Sequence, residues 1–276
     1  MKAINGIIIL VLVFGGMALA DEQSKETREQ EALAYYEKGL ADVKEGHCDK
    51  AIEKYLKSLE FSPDSYLTYN ALGYAYFYSG RFNEALGCFR KALSLNRNHP
   101  DTLRGLGCVY MGLGEENEAA VYFERAIKID PATISPYMSL ATIYNNKGRF
   151  QDAIPLLKKV TEVYPALDGA YYELGRAYQS LDAIDPAIAN YEKCLSLNQG
   201  FWRAYLPLAY CYASRAYYRE AFKYADEARK VSPQDTEAKK QVRYLYHKIK
   251  EEREKKDSPK EAESQITKTE APEAVP

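Results

Sequence analysis

The sequence predicts an all-α solenoid, short helix pairs stacked one after another. Three observations carry this. A small residue returns every 34 positions, at Ala51, Ala85, Ala119, Ala153, Ala187 and Ala221, with no insertion or deletion. Between these positions the apolar spacing is helical: Tyr69, Leu72, Gly73 and Tyr76 fall at i, i+3, i+4 and i+7, and Ala85, Phe89 and Ala92 repeat the pattern for a second helix. No stretch alternates apolar and polar residues as a strand would.

The N-terminus reads as a separate object. Lys2 supplies a positive region, Ile7 to Phe14 is continuously apolar, and Ala18-Leu19-Ala20 precedes the polar pair Asp21-Glu22. This is the pattern of a secretory signal peptide over residues 1–20, cut after Ala20. An uncleaved anchor is the alternative, although the run is shorter than the roughly 20 residues that span a bilayer. No cysteine follows the small residues, so a lipid anchor is not signalled. Residues 21–31 are expected to be a linker.

Six units then follow, at 32–65, 66–99, 100–133, 134–167, 168–201 and 202–235. A glycine or alanine column runs Gly39, Gly73, Gly107, Ala141, Gly175, Ala209. An aromatic column runs Tyr35, Tyr69, Leu103, Tyr137, Tyr171, Tyr205, and another runs Asp42, Tyr76, Tyr110, Tyr144, Tyr178, Tyr212. These columns absorb much of the unusual count of 25 tyrosines. Gly80 stops the first helix of its unit, and Pro63, Pro131, Pro165 and Pro233 close the loops. Gly73 and Ala85 should let two helix backbones approach, with Phe89 and Tyr76 filling the remaining space. Pro136 and Pro186 sit at helix starts, where a missing N–H is harmless. Pro155 lies deeper, and Pro207 deep enough to threaten the first helix of the last unit.

One unit cannot bury both of its faces, but a stack can. The polar Lys38 and Asp42 suit an end unit, which lacks one neighbour. Residues 236–256 are expected to form a capping helix whose Val242, Leu245, Tyr246 and Ile249 cover the last open face. Residues 257–276 are polar, contain proline and have no period, and are expected to be disordered.

The motifs "LGYAY" at 72–76, "LGCVY" at 106–110, "LGRAY" at 174–178 and "AVYFERAIKIDP" at 120–131 resemble the tetratricopeptide repeat, in a chain of exported bacterial type. The resemblance covers residues 32–235 and implies a right-handed superhelix. It also implies that the first helices line a concave groove receiving an extended peptide or a partner helix. Carried over residue by residue, the groove positions are Asn70, Tyr74, Phe77 and Tyr78; Arg104, Cys108 and Met111; Met138, Thr142 and Asn145; Tyr172, Arg176 and Gln179; Leu206 and Tyr210. Aromatic and Met side chains there would anchor apolar groups, the amides would bond a peptide main chain, and Arg104 and Arg176 would fork onto a carboxylate. The alternative for each is packing or pairing within the chain. A cation-and-amide clamp for acidic C-termini is not expected, because Tyr36 and Leu40 stand where it would begin.

Other chemistries find little support. Thirty-seven basic against 39 acidic residues leave a net charge of −2, so nucleic acid is not an expected partner. Three histidines thin the supply of metal ligands and general bases, and neither a metal nor a cofactor is expected. The turn His47-Cys48-Asp49 reads as an inter-helix loop. Of five cysteines, Cys48, Cys194 and Cys211 occupy small or apolar columns and read as buried thiols, while a Cys88–Cys108 disulfide is left open. The expectation is a non-catalytic scaffold, exported to the periplasm or secreted, that binds a protein or peptide of the cell envelope. No membrane contact is expected beyond the leader. The alternatives are an enzyme or regulatory subunit with Arg104, Glu173 and Arg176 as its charged candidates, and self-association through stacked end faces.

Overall fold

The computed structural model describes residue 23, residues 25–231 and residues 236–256. The expected leader with its Ala20 cleavage site, Pro233 and the 257–276 tail lie outside the described residues. Every regular element described is helical: α1 (25–44), α2 (Cys48–Phe61), α3 (Tyr66–Tyr78), α4 (Phe82–Leu95), α5 (Pro100–Gly112), α6 (Glu116–Ile129), α7 (Ser135–Asn146), α8 (Phe150–Val163), α9 (Asp168–Ser180), α10 (Ile184–Leu197), α11 (Tyr205–Ser214), α12 (Tyr218–Val231) and α13 (Thr236–Lys256). A 3-10 turn, Trp202–Ala204, precedes α11. The chain divides into two compact units between Pro136 and Tyr137, each a solenoid of packed helix pairs.

The six column alanines, Ala51 to Ala221, are all fully buried. Beside them the small column meets an aromatic one. A methyl group built on Gly39, Gly73, Gly107 or Gly175 would come within 2.5–2.8 Å of the ring of Tyr55, Phe89, Phe123 or Tyr191, closer than real contacts allow. Phe89 is held from both sides, because Gly105 of the following helix pair approaches its ring as closely as 2.4 Å from the same construction. At the same repeat positions, 16 residues apart as in Gly73 and Phe89, Ala141 corresponds to the buried Leu157 and Ala209 to the buried Ala225. Glycine with an aromatic ring and Ala141 with Leu157 keep similar combined volumes, whereas at Ala209 and Ala225 both residues are small and Leu245 and Ile249 pack with them.

Tyr76 does not join Phe89 in filling that space. It is half-buried, and the Arg81 guanidinium covers its ring at 4.6 Å while bonding Glu84 Oε1 at 2.9 Å. Arg149 repeats the arrangement over Tyr144, at 4.0 Å, with Asp152 as its acid. The first helix of each of these pairs ends in a left-handed residue. Gly80 has φ +73, and the N–H groups of Gly80 and Arg81 cap the carbonyls of Phe77 and Tyr76. In the last two pairs Asp182 and Ala216 hold this conformation, which Ala216 adopts at a steric cost of about 1–2 kcal/mol.

Two further expectations need correction. Residues 25–31, read as linker, belong to α1. Their Lys, Glu, Arg and Gln are good helix formers, and Lys25 and Glu29 face each other one turn apart at 4.0 Å. Pro207 does not kink a continuous helix. The chain instead starts with the 3-10 turn, and Pro207 becomes the third residue of a ten-residue α11, where its missing N–H breaks no ladder within that helix. Pro155 is accommodated inside α8. All five cysteines are free thiols, so the disulfide left open between Cys88 and Cys108 is not formed.

Within the first unit, Tyr55, Ile52, Leu72 and Ala75 join α2 to α3 in one core. In the second, Tyr191, Cys194, Leu208 and Cys211 pack together with Val242 of α13, and Leu245 and Ile249 bury themselves against Ala209, Ala221 and Ala225. Helix α13 thus closes the apolar face that α11 and α12 leave open.

Candidate functional site

The candidate groove residues lie on the first helix of each pair, and each unit is described by itself. In the first unit these helices are α1, α3 and α5. Here the structure turns several expected ligand contacts inward. Asn70 is buried; its Nδ2 donates to Asp101 Oδ2 at 2.7 Å, and its Oδ1 accepts from Thr102 Oγ1 at 2.9 Å. The Tyr74 hydroxyl donates to the Asp101 carbonyl at 2.8 Å, its ring meets Phe89 edge-on, and the Arg104 guanidinium lies 4.9 Å above it. Arg104 itself forks onto a carboxylate, but that of Asp101, three residues back on its own helix. Asn70, Tyr74 and Arg104 are therefore one network joining α3 to α5, organised by an acid the sequence reading did not single out.

Burial alone would raise the Asp101 pKa. Arg104, Asn70 and Tyr74 outweigh it, and the carboxyl lies below its usual value. The sign of the linkage follows. A carboxylate depressed in the folded state contributes stability that is present above its unfolded pKa of about 3.9 and lost as pH falls through the folded value. Asp101→Asn is expected to flatten the fall of melting temperature below about pH 4. An acid limb identical to wild type would show that Asp101 titrates as it does in the unfolded chain.

What stays open on this face is apolar. Tyr78 is 63% exposed and Met111 37% exposed, with Phe77 half-buried beside Tyr78. Leu33 (55%), Leu40 (38%) and Leu67 (46%) extend the patch onto α1 and the start of α3. Leu33, Tyr36 and Leu67 line a cleft of about 170 Å³ whose floor holds Ser58, hydrogen-bonded to the Ala32 carbonyl. Leu33 and Leu67 were missed by sequence reasoning. They share one repeat position, 34 residues apart, as the groove positions do, and that offset was the available signal. Cys108 is half-buried, and burial raises its thiol pKa.

In the second unit the first helices are α7, α9 and α11. Asn145 is buried, and its Nδ2 donates to the carbonyl and to Oε2 of Glu173, at 3.0 and 2.8 Å. Its Oδ1 has no partner. Arg176 holds both Glu173 oxygens, at 3.1 and 2.9 Å. Thr142 bonds back to the Met138 carbonyl of its own helix, and half-buried Met138 reaches toward Gly169 of α9. Gln179 accepts the Tyr191 hydroxyl through Oε1 at 2.8 Å. Tyr172, Arg176, Gln179 and Tyr210 line one open cleft of about 650 Å³ together with Asp182, Pro207 and Ser214. Tyr210 is 40% exposed, whereas Leu206 is half-buried and packs into the core.

The thiols are poorly suited to nucleophilic chemistry. Burial pushes Cys88 up to about 11 and both Cys194 and Cys211 up to about 12. Glu173 is engaged from both sides. Asp42, Glu45 and His47 gather their ligand atoms within 4.8 Å at the turn after α1, where His47 Nδ1 pairs with Glu45 at 3.3 Å. Exposed acidic groups cluster in this way without an ion, and no metal is assigned.

Family profiles match along this architecture. Tetratricopeptide repeat profiles cover residues 64–132, 134–167 and 168–201, and a TPR repeat profile covers residues 39–78. The chain belongs to the tetratricopeptide-repeat family. Solved structures share this fold. The crystal structure of MamA is 29% identical over 59% of this chain and 95% of its own, with a TM-score of 0.56. YrrB, described as a TPR protein with an unusual peptide-binding site, is 20% identical over 67% of this chain and 95% of its own, with a TM-score of 0.61. Pseudomonas aeruginosa pilF is 18% identical over 78% of this chain and 97% of its own, with a TM-score of 0.68. No curated protein sequence matches. This tetratricopeptide-repeat chain is thus an all-α interaction scaffold, and among its described residues no helix is long and apolar enough to cross a membrane.

Proposed function

We propose that the chain is a non-catalytic adaptor whose first-helix faces, in each unit by itself, hold segments of a cell-envelope protein. The observation that carries this reading is the contrast within those faces. The polar groups closest to the backbone are tied to one another, while Tyr78, Met111, Leu33 and Leu67 remain open to solvent. Side-chain networks that tie neighbouring helices together make a rigid platform. Exposed aromatic, Met and Leu side chains on a rigid platform are what an interface anchor consists of. The partner segment for the first unit is apolar on the side it presents. Around Arg176, Gln179 and Tyr210 the lining is mixed, which suits a segment with main-chain polar groups.

Export to the periplasm or beyond rests on Lys2, the Ile7–Phe14 run and the Ala18-Leu19-Ala20 site. The test is affinity capture from envelope extract with mass spectrometry, comparing the wild-type chain with the double variant Tyr78→Ala/Met111→Ala. Both side chains are exposed, so the variant should fold normally. A partner retained by wild type and depleted about tenfold or more by the variant is the expected result. Equal retention by both proteins would place binding elsewhere on the chain. Detection of residues 1–20 on the mature protein would remove the cleaved leader from this reading.

A further inference from the structure

A second cleft opens in the second unit on the side of the second helices, α10 and α12. It has a volume of about 430 Å³, and its walls include Glu192, Tyr205, Lys223, Tyr224 and Glu227. Glu192 is half-buried. Its Oε1 accepts from the Tyr212 hydroxyl at 2.5 Å and from the Tyr224 hydroxyl at 3.3 Å. Those two phenols are its only partners, and no lysine, arginine or histidine among the described residues pairs with it. Glu227, by contrast, has its own cation, with Lys230 Nζ at 2.8 Å from Oε1.

The rings are as ordered as the carboxylate. Tyr212 stacks on Tyr224 with centroids 5.5 Å apart and planes 14° apart, and Tyr205 leans toward Tyr224 at 6.4 Å. Lys223 swings its ammonium to 5.4 Å from the Tyr224 centroid. A ring face that draws in an ammonium stands beside a carboxylate fixed by two donors and lacking a counter-ion. Both attract the same kind of group, and partial burial strengthens both.

We propose that this cleft binds the basic side chain, arginine or lysine, of a partner polypeptide, with Glu192 as its counter-ion and Tyr224 as the ring it covers. In the free protein Lys223 shares that ring face and competes with the ligand. The site is made by α10, α11 and α12 and does not use the groove side chains, so it stands or falls separately from the groove reading.

The test is a titration of the isotopically labelled full chain with acetyl-Gly-Arg-Gly-amide and with the citrulline counterpart, read by amide chemical shifts. The arginine peptide should give saturable shifts grouped on residues 192–199 and 223–227, with the citrulline peptide about tenfold weaker. Glu192→Gln, which keeps an acceptor for the two phenols, should weaken the arginine peptide about tenfold. Lys223→Ala should tighten it severalfold, a sign that damage to the fold would not produce. The proposal is overturned by absence of saturable shifts, by equal binding of the citrulline peptide, by an unchanged affinity in Glu192→Gln, or by shifts that map to the Tyr172–Arg176–Tyr210 cleft instead.

Discussion

Phe89→Ala is expected to destabilise the chain by about 3–5 kcal/mol, the range for removing a fully buried aromatic from a core that cannot collapse around the gap. Phe89 has no exposed surface, and its ring is pressed between Gly73 of its own helix pair and Gly105 of the next. Two helix–helix contacts therefore depend on one ring. In a repeat protein the loss should pass to the neighbouring pair, because stability is a sum of unit and interface contributions. The reverse substitution tests the same contact from the other side. Gly107→Ala places a methyl group 2.6–2.8 Å from the buried Phe123 ring and should cost about 1–3 kcal/mol of overpacking. Alanine's better helix propensity returns up to about 1 kcal/mol of that. Adding Phe123→Leu should recover much of the remainder, since the chain already pairs Ala141 with Leu157 at the corresponding place. Guanidinium unfolding of the two single variants and the double variant measures the coupling directly. Additive effects, with no rescue, would mean that the ring and the glycine do not share one space.

The second large effect is expected at Glu173. Its side chain is 10% exposed, and it holds Arg176 and Asn145 at once. Glu173→Ala removes the carboxylate acceptor for both, leaving buried Asn145, whose Oδ1 is already unpartnered, with only the backbone carbonyl for its Nδ2. The cost should be about 1–3 kcal/mol in unfolding free energy, the range for losing part-buried hydrogen bonds to a charged group. Binding should move the opposite way. Arg176 stands on the 650 Å³ cleft, and its guanidinium is occupied by Glu173. Once released, it would present an uncompensated positive charge to a ligand there. A carboxylate-bearing peptide should therefore bind the less stable variant more tightly, by a factor of about 3–10 at low salt, and the gain should fade as salt screens it. Weaker binding by a variant that remains folded would show that Glu173 contacts the ligand rather than holding Arg176.

The architecture was legible in the sequence because each helix pair solves the same packing problem. The six alanines, the glycine column and the tyrosine columns return at a fixed offset, since the backbone contacts they permit also return at that offset. Even the compensation of Ala141 by Leu157 lies in the string of residues, although only the ring contacts at Gly73 and Gly107 reveal which two columns meet. The ends were harder to read. The start of α1 depends on helix propensity without an apolar stripe, and Pro207 could be placed only once the turn Trp202–Ala204 absorbed the chain before it.

The groove was legible as a set of positions and not as a set of available groups. Arg104 and Arg176 stand at first-helix positions where a carboxylate could be met, yet each is met by an acid three residues back on its own helix. Asn70 has the donor and acceptor for a peptide main chain, and both are taken up by Asp101 and Thr102 on the next first helix. Repeat spacing, helix pairing and core columns follow from the local period of one chain. Which polar atoms remain free, and which apolar surface stays uncovered, was decided by the tertiary structure, because contacts such as Asn70–Asp101 and Asn145–Glu173 need a distance of about 3 Å between side chains 31 and 28 residues apart in sequence.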